Sequence, residues 1–328
     1  MKHWKNMWIA AVTLGLVLFS VPVFADEPVY IGIGGAGSQG RWYAEVSLFA
    51  KILTEKMPNV RAVGVVSPGV SRGNIKRMAT GELQAGRLFG DDLWAVNNKI
   101  APFEDKDYPI KAWFKCVRQP IRVIANTSIK TMQDLRGKKI GLGVRGSGDD
   151  TFALRLLDFY GIKEKDIRAQ FVGRKVAQNS FANHQLDAII ESYTRNNQQH
   201  LGPVFAARPL NKSSHFIPPT LEEATKFAEK WPCYGVDTFG EPVFNEPDMV
   251  GIYMMTLMAI HESVDEELVY QMTKVLFENW DEVLEALPWL TPSEGGQLGA
   301  SLETAMDIPG ATFHPGALRY YKEMGVAK

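Results

Sequence analysis

The sequence predicts an α/β protein of two similar lobes, each a mostly parallel sheet flanked by helices, with a ligand cleft between them. Two observations carry that prediction. The same glycine phrase occurs twice, as Ile31-Gly32-Ile33-Gly34-Gly35-Ala36-Gly37-Ser38 and as Ile140-Gly141-Leu142-Gly143-Val144-Arg145-Gly146-Ser147. The same succession of helix, strand, short helix and strand then follows each copy, which is the pattern of parallel strands joined by covering helices.

After the first copy, a helical pattern runs from Tyr43 to Lys56, a strand from Arg61 to Val66, a short helix to near Gly81, and a strand begins at Leu83-Gln84-Ala85. After the second, a helix runs from Thr151 to Tyr160, a strand from Arg168 to Val172, a short helix to near His184, and a strand begins at Leu186-Asp187-Ala188. Met249 to Ile260 is too short to span a bilayer and reads as a buried strand. Glu262 to Ala286 and His314 to Met324 read as helices on the first lobe. The expected division is residues 26–119 plus 240–328 for lobe one and 120–239 for lobe two, with the chain crossing near 118–126 and 233–240.

Ligands of such sheets bind beyond the carboxyl ends of the strands, where both glycine turns fall. A glycine turn lets backbone N–H groups face a ligand, and the helix it starts adds the positive end of its dipole. Two such turns therefore suit a small anion.

The N-terminus reads as a cleaved secretory signal over residues 1–25. Lys2 and Lys5 precede the apolar run Met7 to Phe19, and Val23-Phe24-Ala25 offers small-residue cleavage before Asp26-Glu27. The run is shorter than the roughly 20 residues that a spanning helix needs. With 36 basic against 37 acidic residues, nothing points to nucleic acid or to a charged membrane surface. Cys116 and Cys233 are the only cysteines. Two separate buried thiols is the simpler expectation, since free cysteine packs as a small hydrophobe.

Three enzyme motifs occur literally. Gly32-x-Gly34-x-x-Gly37 matches the dinucleotide fingerprint, but the second strand ends Val65-Val66-Ser67-Pro68 without the carboxylate that would hold a ribose. Gly69-Val70-Ser71-Arg72-Gly73 spells the nucleophile elbow of serine hydrolases, with His200, His215, His261 and His314 as nominal bases. That makes a secreted hydrolase using Ser71 the alternative; otherwise Ser67 and Ser71 lie on another ligand-facing loop. The histidines and cysteines lack metal-ligand spacing, so neither a metal nor a cofactor is expected.

Several stretches carry a family resemblance: the first glycine phrase, Ala79-Thr80-Gly81-Glu82-Leu83-Gln84, Leu135-Arg136-Gly137-Lys138-Lys139-Ile140-Gly141 with Arg145-Gly146-Ser147-Gly148, Leu268 to Asn279, and His314-Pro315-Gly316-Ala317-Leu318-Arg319-Tyr320-Tyr321. Together they resemble the TAXI-type solute receptors of tripartite ATP-independent periplasmic (TRAP) transporters. The resemblance implies a type II periplasmic binding protein, not an enzyme. It also implies capture of a small organic anion, an amino acid or a dicarboxylate such as glutamate, for a sodium-driven permease. A monomer is expected. The sequence departs from the family where a ligand would lie, with Gly40-Arg41-Trp42-Tyr43-Ala44 in place of a Gly-x-Tyr-Tyr-Pro run and Phe89-Gly90-Asp91 in place of Gln-x-Asp.

An organic anion calls for N–H donors and a guanidinium, which holds a carboxylate two-pronged. Arg145 is the expected clamp, with Gly146, Ser147 and Gly148 donating from the turn. Gly35 and Ala36 do the same from the first turn, beside Arg41. Trp42 and Tyr43 offer an aromatic wall. Glu191 and Asp91 either hold an ammonium or pair with the arginines.

Overall fold

The computed structural model describes residues 27–192, 214–241, 246–292 and 299–327. The signal segment, Tyr193 and His200 lie outside them.

The first half runs β1 (Val29–Gly34), α1 (Arg41–Lys56), β2 (Val60–Val65), α2 (Val70–Ala79), β3 (Ala85–Phe89), α3 (Gly90–Asn97) and β4 (Ile110–Asn126). The second runs β5 (Lys139–Gly141), α4 (Asp149–Phe159), β6 (Arg168–Gln170), α5 (Arg174–Ala182), β7 (Ala188–Ser192), β8 (Ser214–Phe216), α6 (Leu221–Lys230) and β9 (Tyr234–Glu241). The chain then returns through β10 (Glu246–His261) to α7 (Glu266–Glu278), α8 (Trp280–Ala286) and α9 (Pro315–Glu323).

The strand order is β2-β1-β3-β10-β4-β7-β5-β6, with β8 on β4 and β9 on β10. β1 lies parallel to β2 and β3, and β5 lies parallel to β6 and β7. β10 is antiparallel to β3 and β4. Both repeats thus form parallel three-strand units whose connecting helices start at the same sheet edge.

Two hydrophobic cores define the lobes. The larger joins Ile31, Phe49, Leu53 and Phe114 to Leu257–Ile260, Phe277 and Tyr321. α1 contributes because Val46, Phe49, Ala50 and Leu53 recur at helical spacing and are all buried. The second core gathers Val123, Ile140, Phe152, Leu157, Ile190, Phe227 and Tyr234. Trp42 and Phe89, though attached to the first lobe, belong to this second core and meet edge-on with centroids 4.8 Å apart.

β4 makes the outward crossing, pairing first with β10 and then with β7 from Ile121 onward. The return crossing lies later than residues 233–240. β9 stays with the second core, whereas β10 carries Ile252 and Met254 into that core and Leu257 to Ile260 into the first. A register shift between Thr256 and Leu257 marks the passage, the usual sign of a bulge that bends a strand.

The expected helix over Glu262–Ala286 is two helices. They break at Asn279, whose amide donates to the Val275 carbonyl at 2.8 Å and so competes with the helix's own hydrogen bonds. Cys116 and Cys233 are separate buried thiols. Among the described residues no helix is long and apolar enough to cross a membrane, and no His/Cys/Asp/Glu group is arranged for a metal ion.

Candidate functional site

The five helices that start at the strand ends share one property. α1, α2, α4 and α5 begin after Gly40, Gly69, Gly148 and Gly173, α3 begins after Phe89, and none has a side-chain cap. Of the remaining helices, Thr220 caps α6, Asp265 caps α7 and His314 caps α9, while α8 has no side-chain cap. A helix N-terminus left without a side-chain oxygen keeps N–H donors and positive dipole for another acceptor. The starts of α2, α3 and α4 meet one another, since Arg72 reaches Thr151 and Asp150 and Gly148 abuts Asp92. These three ends therefore gather where the lobes face.

The glycines of the first turn serve a different purpose from the expected one. The Gly35 N–H donates to Val65 O at 2.9 Å, within the sheet. A β-carbon at Gly34 would lie 2.3 Å from Asn74 Oδ1, and one at Gly35 2.9 Å from the α1 backbone at Tyr43. The glycines thus admit Asn74, whose Nδ2 faces the carbonyls of Gly34, Gly35 and Arg87. Ala36 O is taken by Ser67 N–H. Ser67 Oγ is buried without a hydrogen-bond partner.

Arg41 is the first residue of α1. Its Nε and Nη2 are both buried and without a hydrogen-bond partner. These two nitrogens form the edge with which a guanidinium grips a carboxylate in a fork. The other contacts position the group: Arg41 lies over the Trp289 ring at 5.3 Å, and Trp289 Nε1 donates to Glu45 Oε1 at 2.8 Å. Burial brings the Arg41 pKa down to about 10; Glu45 opposes the fall and the positive charge of Arg174 adds to it. Loss of water and a second cation both make an anion welcome here.

Arg174 opens α5 in lobe two, with Asp149 Oδ1 at 3.6 Å and Ser192 Oγ at 3.4 Å. It lines a cavity of about 20 Å³ with Gly141, Asp149, Phe152, Ile189 and Glu191, room for roughly one water. Burial raises the pKa values of Asp149 and Glu191, while Arg174 lowers both. Glu191 also accepts from Gln178 Nε2 at 3.0 Å. Neither Arg174 nor Trp289 was singled out from sequence. Arg174 had a local signal, a strand-to-helix turn matching that of Arg41; Trp289 comes from a distant turn and had none.

Arg145, the expected clamp, is turned outward. Both ends of its guanidinium bind Glu164, at 2.9 and 2.5 Å, and it stacks on Phe171 at 3.5 Å, half exposed. The Gly146 N–H goes to Asp150 Oδ2, and the Ser147 N–H and Oγ both go to Val144 O. The second turn therefore satisfies its own donors. Trp42 is buried beneath the Arg87 guanidinium, 5.1 Å from its ring. Tyr43, one position on, lies along a groove beside Ser47, Lys51, Thr54 and Gly64 on the far side of α1. The two rings thus do not form one wall.

Nothing around Ser71 supports the hydrolase alternative. Ser71 is fully buried and its Oγ accepts from Phe89 N–H at 3.1 Å. Of the candidate bases, His314 caps α9 and His261 bonds Ser263. No described histidine is hydrogen-bonded to Ser71. Asp91 is committed elsewhere: Tyr234 Oη donates to its Oδ2 at 2.7 Å and Arg155 Nη1 at 3.1 Å.

Solved structures share this fold. A Xanthomonas citri protein bound to ATP matches with a TM-score of 0.54 at 12% identity, over 90% of this chain and 96% of that one. A Bordetella bronchiseptica protein matches at 0.52 and 14% identity, over 91% and 89%. A binding protein component of an ABC phosphonate transporter from Pseudomonas aeruginosa matches at 0.50 and 13% identity, over 84% and 82%. At such identities the likeness is one of fold, and the fold is the two-lobed α/β fold of type II periplasmic binding proteins. The sequence itself matches a family model over residues 33–325, nearly the whole described chain, and so the protein belongs to the NMT1-like family.

Proposed function

We propose that this chain is an exported, periplasmic solute receptor that closes on a small organic anion and delivers it to a membrane permease, with no catalysis of its own. One observation carries the reading: the forked edge of Arg41, buried, without a hydrogen-bond partner and facing the charge of a second arginine. The uncapped starts of α1 and α5, which carry no first-turn carboxylate, supply further donors and positive potential. Arg174 closes the anion from the other lobe.

An anion with one carboxylate, or a dicarboxylate such as glutamate, fits this edge, because a planar fork matches a planar carboxylate. Ser67 Oγ is a further donor at the strand ends. The motifs similar to TAXI-type receptors support a sodium-driven TRAP permease as the recipient and a monomeric receptor. The likeness in fold to a binding protein component of an ABC phosphonate transporter is in keeping with the broader class of small-anion receptor.

The test is a thermal-shift screen of carboxylates, sulfonates, phosphonates and amino acids on the mature protein, followed by calorimetry. A ligand present at 100 times its dissociation constant stabilises by about 2.7 kcal/mol. No shift with any anion would overturn the reading. Uptake into vesicles carrying a candidate permease, driven by a sodium gradient or by ATP, separates the two transporter classes.

A further inference from the structure

The lobes meet through charged groups that the ligand site does not use. Asp91, at the start of α3 in lobe one, is fully buried. Its Oδ2 receives Tyr234 Oη at 2.7 Å and Arg155 Nη1 at 3.1 Å, both from lobe two. Arg155 also bonds Tyr234 Oη at 3.1 Å, which closes a three-membered ring of partners. Beside it, Arg72 of α2 holds Asp92 at 3.2 Å within lobe one and reaches Thr151 and Asp150 of α4 across the gap. The side chains of Arg72 and Arg155 are 15% and 13% exposed, so both pairs are largely withdrawn from water.

We infer that Asp91, Arg155 and Tyr234 form an interlobe latch, completed by protein groups alone, which holds the lobes together before any ligand arrives. The physical reason is the asymmetry of buried charge. A buried pair contributes little net stability when intact, but removing one partner leaves the other charge desolvated and costs far more. With the lobes together, Arg155 and Tyr234 both serve Asp91 Oδ2, and the nearby guanidinium offsets the burial of a carboxylate whose Oδ1 has no hydrogen-bond partner. A variant that removes Arg155 leaves the carboxylate without its counter-charge, a cost that opening of the lobes relieves by rehydrating it. Tyr234 sharpens this, since burial, with the nearby Asp91 charge, keeps its phenol protonated and therefore a donor to Asp91. The latch lies on the same strand ends as the anion site, so it fixes the closed geometry to which Arg41 and Arg174 are presented. A closed form present in advance raises apparent affinity by its population.

The experiment needs no ligand. Spin labels at Lys56→Cys and Lys165→Cys, exposed positions on the two lobes, report the interlobe distance by electron–electron double resonance. Cys116 and Cys233 are buried and free, with their thiol pKa values raised by burial, so they label slowly. Ligand-free protein with the native latch should show one dominant short distance. Arg155→Ala should shift the distribution to longer distances, and Tyr234→Phe should do so partly. The paired variant Asp91→Asn with Arg155→Met should return most of the short population, because it leaves no unpaired charge. Melting curves keep unfolding separate from opening. A long distance in the native-latch protein, or a distribution that Arg155→Ala leaves unchanged, overturns the latch, while the anion-receptor reading would stand on its own screen.

Discussion

Gly148 and Asp92 approach across the cleft so closely that a β-carbon on the glycine would lie 2.6 Å from Asp92 Oδ2 and 2.9 Å from the Phe89 ring. The glycine also holds φ at +97°, a backbone region that side chains disfavour. Gly148→Ala therefore meets two penalties, a local one of roughly 1–2 kcal/mol for the left-handed backbone and a collision that exists only when the lobes are together. Gly146, two residues earlier, has φ +74° and nothing within 4 Å. Gly146→Ala thus isolates the local penalty. We expect both variants to melt slightly below wild type, and only Gly148→Ala to lose anion binding by more than tenfold in calorimetry. Equal affinities for the two would mean that the glycine answers to its turn and not to closure.

Asp92 provides a pH dependence with a definite sign. Burial, and then the charge of Asp91, push its pKa up to about 7, with Arg72 and Ser71 opposing. The folded protein thus binds a proton that the unfolded chain releases near pH 4. Stability from this group is full below that value and is lost as pH rises through about 7. Asp92→Asn removes the titration. Melting temperatures measured from pH 4.5 to 8.5 should show wild type losing ground to the variant as pH rises, with the change finished by about pH 8. A constant difference across the range would show that Asp92 is ionised throughout.

Ser71→Ala tests the hydrolase alternative directly. The substitution leaves the buried Phe89 N–H without its acceptor, a loss of about 1–3 kcal/mol in stability. There should be no esterase or peptidase turnover to lose, and no adduct with a serine-directed phosphonate in mass spectrometry. Turnover that vanishes in the variant would restore the nucleophile.

Much of the fold was legible because it is local. The doubled glycine phrase, helical spacing in Val46–Phe49–Leu53 and the short strands around them locate β1 to β3 and β5 to β7 within a few residues. What was not legible depends on partners far along the chain. Arg145 sits in a glycine turn as an anion clamp would, yet Glu164, nineteen residues on, captures it. Trp42 and Tyr43 are adjacent, but one helical step of about 100° sends one ring to the lobe junction and the other to a groove behind α1. The break at Asn279 and the return crossing in β10 likewise rest on single side-chain bonds and a register shift that no periodicity reveals.

The arginines decide the site. Arg41→Ala removes the buried fork, and binding of the anion found in the screen should weaken by roughly 2–5 kcal/mol, much of it the penalty of a ligand charge left without its partner. Arg41→Lys should recover only part, because an ammonium cannot offer the planar two-pronged edge. Folding should be nearly unchanged or slightly improved, since Arg41 is a partly buried cation whose Nε and Nη2 lack a hydrogen-bond partner, so removing it relieves a desolvation cost. Arg174→Ala should weaken binding less, because Asp149 and Ser192 already share that guanidinium. Arg145→Ala should bind as wild type does and alter stability only within the ~0–1 kcal/mol of an exposed pair, since its partner is Glu164 on the outer face. Calorimetric titration of the four variants beside melting curves settles the order. If Arg145→Ala loses the ligand while Arg41→Ala keeps it, the guanidinium must leave Glu164 and swing inward on binding, and the anion belongs to the second turn.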